Sequence, residues 1–149
     1  MKNINTQLMT ELQQELQPYP ETLEFVIGYR NYVHAIDDLI DGPNRPTAED
    51  ILKVSAMASC LFSTAFWLKH SNILVVTEQL VNNTYADSVV WESSSFKQYR
   101  DAADTLRHAG LDMFFAAILI TLGRDKLREY SLKFRTQCYE IQSSKEDIK

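Results

Sequence analysis

The stretch ETLEFVIGYRNYVHAIDDLID, residues 21–41, decides the fold, because it has the pattern of one long amphipathic helix. Its apolar residues recur at steps of three and four, the spacing of side chains on one face of an α-helix. Pro20 precedes the stretch and Gly42-Pro43 follows it, and these residues commonly mark helix ends. This segment therefore predicts a helix that starts near Glu21 and ends at Asp41.

The rest of the chain repeats this pattern. No hairpin signal and no sustained alternation of apolar and polar residues predicts a strand, and we assign the short β-branched run Ile73–Val76 to a helix. The predicted helices cover residues 6–17, 21–41, 47–69, 71–92, 95–122 and 124–143. The sequence thus predicts an all-α protein, a compact bundle of five to six helices. We expect a single domain, residues 1–149, with a frayed polar tail at 143–149.

Composition excludes several classes of function. The net charge is −5 and the basic residues are dispersed, apart from a modest group at residues 124–135, so we expect no nucleic-acid binding. The longest apolar run, residues 113–120, is too short to span a bilayer, so we expect no membrane association and a cytoplasmic location. The two cysteines form no Cys-x-x-Cys pair, which argues against a zinc ribbon or a thioredoxin-type redox site.

The end of the second predicted helix carries an acidic cluster. His34, Asp37, Asp38 and Asp41 fall within a sector of roughly 100° on a helical wheel. Three carboxylates in a last turn oppose the helix dipole and repel one another. A magnesium ion would relieve both effects, since Mg²⁺ favours carboxylate and water ligands. The alternative is that these acids are solvated or paired with nearby arginines.

Further polar groups could line a pocket. In the fifth predicted helix, acids and a histidine recur at steps of three and four and lead toward Phe115 and Leu119, which we expect in the core. The fourth helix carries three oxygen-bearing side chains at steps of four, which could hold a second cation. The members of the two sets are Asp101, Asp104, His108 and Asp112 in the fifth helix, and Thr84, Ser88 and Glu92 in the fourth.

The segment Asp37-Asp38-Leu39-Ile40-Asp41 resembles the first aspartate-rich motif of the class I isoprenoid synthases. That family is all-helical, and the resemblance implies that Asp37 and Asp41 ligate Mg²⁺ while Asp38 supports them. The second motif of terpene cyclases, Asn-Asp-x-x-Ser-x-x-x-Glu, is matched here only at Ser88 and Glu92. The second Asp-Asp-x-x-Asp of the prenyltransferases is absent, so the resemblance supports a metal-bound diphosphate rather than prenyl chemistry.

The chain is also similar in size to the all-helical nucleoside triphosphate pyrophosphohydrolases, whose helix-borne acids hold Mg²⁺. Their Glu-x-x-Glu pairing is missing, and the resemblance requires aspartates at Asp38 and Asp41 in its place.

Two hypotheses about function follow. The first is a magnesium-dependent protein that binds or hydrolyses a phosphate or diphosphate compound. Its expected metal ligands are Asp37, Asp38 and Asp41; its catalytic groups are His108, Asp104 and Glu92; its other pocket residues are His34, Asp101, Asp112 and Arg30, with Arg100 or Arg107 as further phosphate ligands. The second is a non-catalytic accessory protein of a phage or bacterium, which binds a basic protein partner through its acidic surface. A homodimer fits either hypothesis.

Overall fold

The computed structural model describes the backbone of residues 6–146 and the side chains of residues 6–140. Every regular element in this part of the chain is a helix, which confirms the all-α prediction. A short 3₁₀ turn, Arg107–Gly110, joins the fifth helix to the sixth. The α-helices are α1 (Thr6–Glu15), α2 (Pro20–Asp41), α3 (Ala48–Leu61), α4 (Ala65–Glu92), α5 (Lys97–Leu106), α6 (Leu111–Leu122) and α7 (Arg124–Glu146).

Helix ends that carry a local chemical signal lie where the sequence predicted them. Thr47 and Asp50 form a capping box at the start of α3: the backbone N–H of Thr47 donates to the Asp50 carboxylate at 2.9 Å, and that of Asp50 donates to the Thr47 hydroxyl at 3.2 Å. Gly42 follows the end of α2. Gly123, with a φ of 91°, separates α6 from α7. A residue with a side chain rarely adopts that backbone conformation.

The predicted boundary between the third and fourth helices is wrong. α3 ends at Leu61 rather than near residue 69, and α4 begins at Ala65. In the connection the Ser63 hydroxyl donates to the Ser59 carbonyl oxygen at 2.6 Å, and that of Thr64 donates to Leu61 at 2.8 Å. Such side-chain hydrogen bonds compete with those of a continuing helix. The predicted restart at residue 71 coincides instead with a kink inside α4, where His70 has a φ of −118° and a ψ of 19°.

The fifth predicted helix is interrupted by the 3₁₀ turn. A 3₁₀ helix advances about 120° per residue rather than 100°, so the four-residue turn changes which side chains face the core. Phe115 is buried as expected, whereas Leu119 is 47% exposed. The prediction that Leu119 lies in the core is therefore wrong, because the buried face of α6 is centred on Phe114 and Ile118 and Leu119 lies beyond its edge. α5, the turn and α6 still follow one another as a single helical stretch, so the described residues form six helical segments.

The described residues divide into two compact units. The N-terminal unit, residues 11–71, is built around the packing of α2 on α3. The ring of Phe25 lies 5.1 Å from that of Phe66 and 6.1 Å from that of Trp67, measured between centroids. Gly28 lets α3 approach, because a Cβ placed on it would lie 3.3 Å from Leu61 Cδ1.

The C-terminal unit comprises the described residues from 72 onward together with residues 6–10 of α1. Its core lies between α6 and α7, where Phe134 packs against Phe114, Phe115 and Tyr130 at centroid distances of 6.5, 6.3 and 6.3 Å. Helix α7 continues to Glu146, so the predicted frayed tail is helical over 143–146, and 147–149 lie outside the described residues. The organisation as a single domain stays a prediction.

One described helical stretch, Lys97–Leu122, is long and apolar enough to cross a membrane, and the bent pair α3–α4 passes the same criterion. Core helices of water-soluble proteins have the same length and composition. In the structure α6 buries Leu111, Phe114 and Ile118, which is the pattern of a core helix.

Candidate functional site

The acidic cluster of α2 divides between two environments. The buried face of this helix runs through Tyr29 and Val33 to Asp37, which is only 5% exposed. Asp38 and Asp41 are exposed. The pocket residues predicted beside them, Arg30 and His34, are partly buried on the same helix. The last turn of α2 thus presents two carboxylates to solvent and directs the third toward the core.

A metal site needs donor side chains that converge on one point. In the described residues, no group of three or more His, Cys, Asp or Glu side chains is placed to hold a metal ion. Mg²⁺ is often bound through only one or two protein carboxylates, with water and substrate phosphates as its other ligands. Magnesium binding at α2 therefore stays a prediction.

Glu92 belongs to a cluster around Arg107. The Arg107 side chain is 13% exposed and forms a salt bridge with the Glu92 carboxylate. Its Nη1 donates to the Tyr85 hydroxyl at 3.0 Å, and its guanidinium carbon lies 4.9 Å from the centre of the Tyr85 ring. Ser88 is fully buried, and its hydroxyl donates to the Tyr85 carbonyl oxygen at 2.5 Å. In this structure Glu92 and Tyr85 link α4 to the 3₁₀ turn through Arg107, whereas the hydrogen bond of Ser88 stays within α4.

The acidic residues predicted on the fifth helix do not come together. Asp101 pairs with Lys97 at 2.6 Å, one turn earlier on α5. Asp104 is exposed and is not among the residues that line the cavity described below. His108 and Asp112 do line a common cavity, together with Thr84 of α4. Arg100 donates to the Ser94 carbonyl oxygen at 2.7 Å, at the turn before α5.

That cavity is the candidate site. It has a volume of about 340 Å³ and lies within the C-terminal unit, between α4, α5, the 3₁₀ turn, α6 and α7. Its lining combines an apolar surface with hydroxyl, imidazole, carboxylate, thiol and guanidinium groups. The lining residues are Thr84, Thr105, Leu106, His108, Ala109, Leu111, Asp112, Arg135, Cys138 and Tyr139.

The charged rim of the cavity is formed by α6 and α7. Arg135 Nη2 lies 3.5 Å from the Asp112 carboxylate, and both side chains are more than half exposed. The Arg135 guanidinium also stacks over the Phe115 ring, with its central carbon 5.3 Å from the ring centre. A guanidinium held by an aromatic face keeps most of its N–H groups available to an anion.

A thiol lies deeper in the same cavity. Cys138 is 8% exposed, and burial raises the pKa of its thiol above the ordinary value of 9.0, although nearby Arg135 partly opposes the shift. The thiol is therefore neutral near pH 7. Because the thiolate is the nucleophilic form, Cys138 is suited to packing against a ligand rather than to attacking one.

The sequence identified three residues of this cavity as candidate site residues, but it did not indicate the contribution of α7. Thr84, His108 and Asp112 were singled out, whereas Arg135 was noted only within the basic group at residues 124–135 and Cys138 only as one of the two cysteines. Helix periodicity shows which face of α7 is apolar but not which helix that face meets. The approach of Arg135 to Asp112 depends on that packing.

The N-terminal unit has a separate groove of about 470 Å³ between α2 and α3. It is lined mainly by small or apolar side chains, with Lys53 and Glu24 as its charged members and the exposed thiol of Cys60 beside them. None of the predicted site residues lies in this groove.

Comparison with known proteins adds no relative: no family model and no curated protein matches the sequence, and no solved structure matches the fold. The class of protein defined above is thus a small all-α protein with a mixed polar and apolar cavity. What it binds is argued from its own residues.

Proposed function

We propose that the protein binds a small organic anion, with phosphate-bearing compounds as the first candidates, in the cavity of the C-terminal unit. The observation that supports this most is the position of Arg135 and His108 on one cavity that also has an apolar lining. Binding sites for small molecules combine an apolar surface with a few convergent polar groups. The proposal keeps the phosphate ligand expected from the sequence and moves its site from α2 to α5–α7.

The size of the cavity supports a ligand of modest dimensions. Its volume of about 340 Å³ lies at the lower end of the range typical of ligand pockets. Leu106, Ala109 and Leu111 supply an apolar surface for the body of the ligand. The hydroxyls of Thr84 and Thr105 can donate to an acidic group held there.

Arg135 is the expected anchor for the acidic group. Its contact with Asp112, at 3.5 Å, is longer than the 2.7–2.9 Å of a strong charged hydrogen bond. Exposed pairs of this kind contribute at most about 1 kcal/mol. A phosphate or carboxylate that accepts two N–H groups from the guanidinium can therefore replace Asp112 at little cost.

The test is a thermal-unfolding and calorimetric titration with inorganic pyrophosphate, AMP and citrate. We expect at least one of them to raise the melting temperature of the wild type, since a ligand that binds only the native state stabilises it. Arg135→Ala should abolish the shift. Arg128→Ala, at an exposed position on the same helix, should retain it. Equal binding by both variants, or no binding by the wild type, would overturn the proposal.

A second proposal retains magnesium at the last turn of α2. The observation that favours it is the exposure of Asp38 and Asp41, one turn apart. Occupancy at ten times the dissociation constant would stabilise the native state by about 1.4 kcal/mol. For a chain of this size that corresponds to a rise of roughly 3–6 °C in melting temperature. Millimolar Mg²⁺ should produce this rise in the wild type but not in Asp38→Asn/Asp41→Asn; an unchanged wild type contradicts the proposal.

A further inference from the structure

Helix α4 is apolar on two opposite faces within the C-terminal unit. Its inner face buries Leu74 and Val81, which are 0% and 6% exposed. Its outer face carries Ile73, Val76 and Leu80, which are 58%, 58% and 64% exposed. A helix that is apolar on both faces is normally covered on both. The described residues cover only the inner one.

The outer stripe, defined as Ile73, Val76, Leu80 and Val90, has the spacing of a helix-pairing seam. Ile73, Val76 and Leu80 are separated by three and then four residues, which places them at successive a and d positions of a heptad. Asn83 and Asp87 occupy the next two such positions, and Val90 the one after them. The stripe is thus apolar at both ends and polar near its middle.

Charge distinguishes between the partners that could cover this stripe. From residue 71 to residue 86 the only charged side chain is that of Glu78, and it lies on the inner face at 7% exposure. A basic protein needs carboxylates opposite its lysines and arginines, and the seam positions from 73 to 90 carry only one, that of Asp87. An equally uncharged apolar helix is the complementary partner, and another copy of the chain supplies one.

We propose that a second copy of this chain covers the outer stripe, with the two α4 helices antiparallel across a two-fold axis. A two-fold interface requires a self-complementary surface. In an antiparallel register centred near residue 78, Val76 meets the partner's Leu80, and Asp87 lies beyond the partner's Ile73, outside the apolar contact. A parallel arrangement would instead place Asp87 against the partner's Asp87, and like charges repel.

The available apolar area fits a dimer. At the end of α4, Trp91, Phe96 and Tyr99 form an exposed aromatic cluster, with centroid distances of 5.0 Å between Trp91 and Tyr99 and 5.6 Å between Phe96 and Tyr99. Trp91 lies five full turns after Ile73 and so on the same face.

These three rings are 38–58% exposed and together present on the order of 250 Å² of solvent-accessible apolar area. The four side chains of the outer stripe, exposed at 58–70%, offer a similar area. The total of about 500 Å² matches the apolar part of a standard interface, which buries roughly 800 Å² per partner.

The test is sedimentation equilibrium of the full chain and of two substitutions matched in chemistry. The wild type should be a dimer at micromolar concentration. Leu80→Glu should weaken dimerisation at least a hundredfold without loss of helical circular dichroism, because Leu80 is exposed in the single chain. Leu132→Glu introduces the same charge at an equally exposed leucine of α7, 69% exposed, and should leave the dimer intact.

Three results would overturn the proposal: a monomeric wild type at 100 µM, a dimer that persists in Leu80→Glu, or equal effects of the two substitutions. If the monomeric wild type bound vesicles of neutral lipid through the outer stripe, a membrane surface rather than a second copy would be the occupant.

Discussion

The two cysteines lie in contrasting environments. Cys60 is exposed, whereas Cys138 is buried and has a raised pKa. Thiol reactions proceed through the thiolate, so both burial and the raised pKa slow Cys138. We expect one fast and one slow thiol per chain in a titration with Ellman's reagent at pH 7.4. Cys60→Ser should remove the fast phase alone; loss of the slow phase instead would show that the assignment is reversed.

Binding at the cavity has a consequence for the same thiol. Because Cys138 lines the cavity, a bound anion should slow its modification further. The rate for Cys60, which lies in the groove of the other unit, should stay unchanged. This comparison links the thiol measurement to the ligand proposal within one sample.

Asp50 predicts a pH dependence of stability. The backbone N–H and hydroxyl of Thr47 donate to its carboxylate and hold its pKa below the ordinary value of 3.8. A lowered folded-state pKa means that the stabilisation is complete above the unfolded-state pKa and is lost as pH falls through the folded-state pKa. The stability difference between wild type and Asp50→Ala should therefore be constant from about pH 5 to 7 and shrink below pH 4.

The measurement is urea unfolding at a series of pH values. Thr47→Ala supplies the comparison, since loss of a helix N-cap costs about 1 kcal/mol. The double variant Thr47→Ala/Asp50→Ala should be less destabilised than the sum of the two single variants at neutral pH, because the two side chains share one interaction. Strict additivity at pH 7 would contradict the capping role.

At the scale of the element, the junction between α6 and α7 depends on Gly123. Its φ of 91° and ψ of 179° belong to a region occupied almost only by glycine. Gly123→Ala should destabilise the native state by about 1–3 kcal/mol, measured by chemical unfolding. Arg124→Ala, the exposed neighbour at the start of α7, should change stability by less than about 0.5 kcal/mol. If both substitutions changed the free energy of unfolding equally, the positive φ at position 123 would not be what makes Gly123→Ala destabilising.

Helix boundaries were predictable where the signal is local. The capping box at Thr47 and the glycines at 42 and 123 each act through the backbone of neighbouring residues, so they can be identified from a few letters. The break at residues 62–64 contains no proline or glycine, and its apolar spacing continues into α4. In the structure, the hydroxyl groups of Ser63 and Thr64 donate to backbone carbonyl oxygens where α3 ends. Serine and threonine also occur inside helices, so their presence alone does not predict a break.

At the scale of the whole molecule, the sequence located the candidate site only in part. His108 and Asp112 share a helical face that their spacing reveals, and both line the cavity. Arg135 and Cys138 come from α7, and their position depends on long-range packing of α6 on α7. The 3₁₀ turn also changes the helical phase, so Asp101 and Asp104 do not continue the site.

The two tryptophans report on the two units separately. Trp67 is 8% exposed in the N-terminal unit, with the Phe62 ring 4.5 Å away, whereas Trp91 is 38% exposed beside Tyr99 in the C-terminal unit. Indole fluorescence shifts to longer wavelength as the ring meets water. In the single chain, emission at the blue edge of the spectrum therefore follows the interior of one unit, and emission at the red edge follows the surface of the other. Replacing either tryptophan with phenylalanine would leave a chain with a built-in optical probe of a single unit.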